Sequence, residues 1–66
     1  MTEMMKSILG RVLSQEIAHQ ENWKADDIRR FGEDRVDRDE IIAQVKDFMK
    51  ENGIQFREDF YFDELR

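Results

Sequence analysis

The chain has 66 residues, no cysteine, no proline and one histidine, and its 16 acidic side chains outnumber 11 basic ones for a net charge of −5. A single domain spanning 1–66 is the most this length allows, and it would bury only about 60% of its unfolded surface. Disulfide and thiolate or multi-histidine metal staples are excluded by composition, so association, by default as a homodimer, is the expected stabiliser.

The first element is an amphipathic helix over about 2–20. Met5, Ile8, Leu9, Val12, Leu13 and Ile17 recur at helical spacing. Thr2 is the expected N-cap and Glu3 suits the first turn. Gly10 costs about 1 kcal/mol against alanine inside a helix, so it signals close approach of another backbone, for which a second copy of this helix is the candidate. Met4 widens the apolar face, and the self-association set is Met5, Ile8, Leu9 and Val12 from this helix with Phe60 and Phe62 from the C-terminal segment.

A short middle helix over 23–31 follows, capped by Asn22 and stopped by Gly32. Trp23, Ile28 and Phe31 share one side of it, and Asp27 interrupts their apolar stripe. The third helix spans about 38–51. Asp37 stands three residues before Glu40, as in a capping box with Asp as the cap. Ile41, Ile42, Val45, Phe48 and Met49 repeat at helical spacing. Lys46 and Lys50 lie toward the end that favours cations, and Asn52-Gly53-Ile54 matches a glycine stop followed by an apolar residue.

The segment 55–66 sets four aromatics among four carboxylates. Ile54, Phe56, Phe60 and Phe62 share the parity of one strand face, which Glu58 breaks. A C-terminal strand needs a neighbour, either 33–36 or a second chain. The expected class is therefore α+β, mostly helical: a long N-terminal helix, a short middle helix, a capped third helix and a short C-terminal strand, dimeric.

No constellation for catalysis is present. Ser14 and His19 are five residues apart, about 500° of helix rotation, so they do not meet. Glu16-x-x-His19 has di-iron helix spacing, but such sites need more inward-facing glutamates than this chain offers. The run Glu33, Asp34, Asp37, Asp39, Glu40 lacks the spacing and the glycine of a calcium loop and carries Arg35 and Arg38 within it. A helix-turn-helix reading fails on a six-residue connection, 32–37, and on the carboxylates that open the following helix. The expectation is a non-enzyme without metal or cofactor.

Charge is uneven: residues 1–33 hold six acids and five bases, and 34–66 hold ten and six. Such a field repels nucleic acid and attracts basic surfaces. The leading functional expectation is thus an interaction protein that inhibits or modulates a basic partner, with nucleic-acid-binding proteins among the candidates. Its acidic set is Glu33, Asp34, Asp37, Asp39, Glu40, Glu58, Asp59, Asp63 and Glu64. In composition, though in no motif, the chain is similar to small acidic inhibitors such as phage-encoded DNA mimics. The alternative is an assembly subunit that docks through the apolar face of the first helix. No apolar run approaches the ~20 residues of a membrane span, and Met1 to Lys6 has no secretory pattern, so a cytoplasmic location is expected.

Overall fold

The computed structural model describes residues 1–65. They form α1 (Glu3–Phe31), α2 (Arg38–Glu51) and α3 (Glu58–Glu64), and no strand occurs among them. The expected α+β class is corrected to all-α on this ground.

α1 begins where the sequence places it, with Thr2 Oγ1 accepting from the Met5 amide at 3.1 Å. It then runs 29 residues without a break, so the separate middle helix is also corrected. Nothing between Gly10 and Gly32 stops it, since the chain has no proline and no other glycine there. Asn22 is not a cap; its Nδ2 donates to the Glu64 carbonyl at 3.1 Å. The end comes at Gly32, whose φ of 77° is the left-handed turn glycine adopts without a Cβ penalty. Arg29 and Arg30 occupy the last turn, where the helix dipole favours cations.

α2 matches the expected 38–51, but its start differs. Asp37 is the N-cap residue, yet its side chain makes no capping bond and its backbone is left-handed at φ 50°. Asp34 does the capping instead, accepting from the Arg38 amide at 2.8 Å. The expected capping box is corrected accordingly: Glu40 meets Asp37 only through the backbone, its amide donating to the Asp37 carbonyl. The C-terminal stop is as expected. Gly53 (φ 65°) and Ile54 donate back to the carbonyls of Lys50 and Met49, and Ile54 and Met49 are both buried. That pair of bonds, closed by an apolar contact, is the Schellman arrangement.

The expected C-terminal strand is a helix. Glu58 and Asp59 fall in the first turn of α3, where the helix dipole stabilises carboxylates. Shared parity therefore misled: Phe56 lies in the irregular segment 54–57 and Phe60 and Phe62 in α3, so the three do not form one face of an extended chain.

α1 is the spine. At about 100° per residue, Gln20, Lys24 and Asp27 project from one flank and meet the start of α2. Arg11, Ser14 and Asn22 project from nearly the opposite flank and meet α3 and the segment before it. No Cα of α2 comes within 8 Å of α3. The core is small: Ile17, Ile42, Met49 and Ile54, with Leu9, Leu13, Val45 and Tyr61 packed against it. Gly10 does mark a close backbone approach, but to its own chain. A Cβ there would stand 2.9 Å from the Gln55 carbonyl oxygen. One turn on, the fully buried Ser14 accepts from the Arg57 amide at 2.8 Å.

The molecule measures 42 × 23 × 12 Å, with a radius of gyration of 12.9 Å. Scaling for a compact 66-residue domain gives about 10.8 Å. The accessible surface is 4857 Å², against about 4450 Å² expected for the mass. This chain is a slab little more than one helix deep, and it leaves apolar side chains outside.

Candidate interaction surfaces

The acidic set is largely engaged within the chain. Lys24 Nζ holds Asp39 at 2.7 Å, and that hydrogen bond, foremost, raises the lysine's pKa. Arg57 pairs with Asp59 at 3.2 Å, and Arg35 with Glu33 at 3.7 Å. Glu64 lies 2.5 Å from His19 Nε2, and Asp34 is occupied in capping α2. Asp37, Glu40, Glu58 and Asp63 are exposed. His19 falls near the end of the expected 2–20 helix but is not at a helix end. It lies mid-way along α1, with Trp23 beside it at 5.8 Å and Glu64 docking α3 against it.

Asp27, the polar interruption in an apolar stripe, has a specific partner. Arg38 Nε donates to its Oδ2 at 2.9 Å, with the two side chains only 15% and 14% exposed. Arg38 also donates to Gln20 Oε1 at 3.2 Å and stacks over Trp23 at 5.3 Å. Among the described residues no buried side-chain polar atom lacks a partner. Ser14 is sealed in the α1 face beneath Arg57. No group of three or more His, Asp or Glu side chains is placed to hold a metal among the described residues.

Exposed apolar side chains comprise Trp23, Ile28, Phe31, Val36 and Phe48 and two further groups. The first is the N-terminal half of α1. Met1, Met4, Met5, Ile8 and Val12 are each between 46% and 71% exposed. Met5, Ile8 and Val12 follow the 3-4 step of a helix seam, with Met4 at its edge and Met1 just before the helix begins. Of the expected self-association set, Met5, Ile8 and Val12 share this face. Leu9 does not, because it packs against the core. Phe60 is set between the guanidinium groups of Arg57 (4.9 Å) and Arg11 (5.8 Å), and Phe62 is exposed on α3.

The second is an open cleft of about 440 Å³ between α2 and α3, floored by Ile17. Met49, Ile54, Phe56, Tyr61 and Phe62 supply its apolar walls, Lys46 and Lys50 stand on the α2 side, and Glu58 on the α3 side. Tyr61 donates its hydroxyl to Glu21 at the floor. That bond, then burial, then the carboxylate's charge push the phenol up to about 12. Tyr61 is thus a fixed neutral donor at ordinary pH, and it also packs edge-on to Phe62 at 5.0 Å and against Phe56 at 5.4 Å.

The sequence reading did not find this cleft. No helix among the described residues is long and apolar enough to cross a membrane. The comparisons give no family to lean on: no family model, curated protein or solved structure matches the chain.

Proposed function

We propose that the protein is a non-enzymatic, cytoplasmic interaction protein that works as an assembly subunit, docking through the exposed face of α1 on a second copy of itself. The observation that carries this reading is the face of Met5, Ile8 and Val12, with Met4 beside it, left open on the N-terminal half of α1. A contiguous apolar patch on a small chain marks a contact site. The slab shape supports the same reading, because a core of four large apolar residues leaves the monomer short of stabilising burial. Sedimentation equilibrium tests it. The wild-type chain should be a dimer at tens of micromolar, and Ile8→Asp with Val12→Asp should be a folded monomer. A wild-type chain that stays monomeric at millimolar concentration overturns the proposal.

A second reading keeps the acidic surface as the recognition element for a basic protein. It is favoured by Asp37, Glu40 and Glu58, which are exposed and form no ion pair among the described residues. Binding of this kind weakens steeply with salt, as screening shortens to about 8 Å at physiological ionic strength. Capture on an immobilised basic protein that is indifferent to salt and to Asp37→Lys, Glu40→Lys and Glu58→Lys together would count against it.

A further inference from the structure

We propose that the cleft between α2 and α3 is a binding site for an amphipathic helix of another protein, with carboxylates along one flank of its apolar face and a base along the other. α2 and α3 both pack on α1, and no Cα of one comes within 8 Å of the other, so a groove lies open between them. The groove above Ile17 holds about 440 Å³, room for several apolar side chains from one face of a helix laid across it. Its lining is apolar where such a helix would press and charged where its flanks would emerge.

The charges set the chemistry of the occupant. Lys46 and Lys50 lie one turn apart on the α2 wall, and neither forms an ion pair among the described residues, whereas Lys6 and Lys24 both do. In a chain with a net charge of −5, two adjacent uncompensated lysines at the mouth of an apolar cleft are complementary to carboxylates on an incoming flank. Glu58 on the opposite wall is likewise without an ion pair and complements a base. The remaining acid of the lining, Glu21, is already satisfied by Tyr61. Walls of opposite sign would fix the rotation of the bound helix about its axis, while Met49, Phe56 and Phe62 take its apolar side chains.

The probe is a blocked synthetic helix of about 15 residues, with leucines at helical spacing, glutamates on one flank and lysines on the other. It is titrated into the labelled chain and followed by amide chemical shifts. Saturable shifts should appear at α2, at α3 and around Ile17, and should persist in Ile8→Asp, which separates this site from the α1 seam. Lys46→Glu with Lys50→Glu should weaken binding of this peptide by roughly tenfold, as two partly exposed ion pairs become repulsive. The same variant should gain affinity for a peptide with lysines on both flanks. Circular dichroism of the variant guards against simple unfolding, since both lysines are solvent-exposed. The proposal is overturned by no shift at millimolar peptide, or by unchanged affinity in the Lys46/Lys50 variant. Cleft shifts that depend on protein concentration alone overturn it in favour of a second copy, and saturation by dodecanoate but not by the peptide overturns it in favour of a small amphiphile.

Discussion

α1 holds its two neighbours by different means. Toward α2, beside the apolar core of Ile17, Ile42 and Met49, the start of the helix is held by polar contacts: Asp27, Gln20 and Trp23 gather around one arginine, Arg38. Toward the segment 54–57 the junction is steric: Gly10 and Ser14 present almost no side chain, and the backbone of Gln55 and Arg57 lies on the helix itself. Long polar side chains can re-aim when a neighbour changes. A backbone lying 2.9 Å from where a Cβ would sit cannot, so substitutions on the two flanks should differ in severity.

The largest effect is expected at Gly10. Gly10→Leu forces an added side chain against the Gln55 carbonyl, and overpacking of this kind costs ~1–3 kcal/mol or more. At about 0.05–0.15 kcal/mol per residue, a domain this size has roughly 3–10 kcal/mol to lose. The thermal unfolding midpoint by circular dichroism should fall by about ten degrees or more, at about 4–8 °C per kcal/mol. An unchanged midpoint would show that 54–57 does not lie on Gly10.

On the polar flank, Asp27→Ala should cost about 2–3 kcal/mol, because it strands a mostly buried guanidinium. Asp27→Leu combined with Arg38→Met should recover most of that, since replacing both partners removes the orphaned charge. Urea unfolding of the single and double variants measures the difference. If the double variant is no better than Asp27→Ala, the Gln20 and Trp23 contacts of Arg38 matter more than its ion pair.

Ser14→Ala returns to the steric flank with a smaller change. It removes the acceptor for the Arg57 amide, costing ~1–2 kcal/mol, and hydrogen exchange at that amide should accelerate more than at the α2 amides. The smallest effect concerns Tyr61, the only tyrosine. Its phenolate absorbance should titrate near 12 rather than at the usual 10. Because the folded value lies above the unfolded one, the stabilisation from the Glu21 bond is intact below about pH 10 and lost as pH rises through about 12. Glu21→Gln should bring the midpoint down toward 10.

The same contrast explains what could be read from the chain alone. α2 was legible because its signals are local: helical spacing from Ile41 to Met49 and the Asn52-Gly53-Ile54 stop act within a few residues. Thr2 at the start of α1 is of the same kind. The middle of α1 was misread because Asn22 can cap a helix or serve a distant partner, and only the position of Glu64 decides which. Asp34 took the capping role expected of Asp37 for a similar reason, as the left-handed backbone at Asp37 turns the chain so that Asp34 faces the Arg38 amide. The α3 segment was misread because strand and helix spacing cannot be told apart over so few aromatics. The close approach at Gly10 was legible, but its partner was not, since Gln55 lies far along the chain. The seam was legible at Met5, Ile8 and Val12, whose spacing is local, but the cleft was not: its walls are made by pairing distant residues, and no local pattern records the pairing.

The way α3 is held has a kinetic consequence. The bonds joining α2 to α1 connect residues 11 to 18 positions apart, while those joining α3 to α1 span 40 to 45. Near contacts close first and distant ones last, so the α1–α2 hairpin should form before α3 lands on it. α3 also buries no residue completely, which puts it at the low end of local opening free energies. The native state is then a lasting hairpin with a short latch, and its reversible release would remove one wall of the cleft without unfolding the rest.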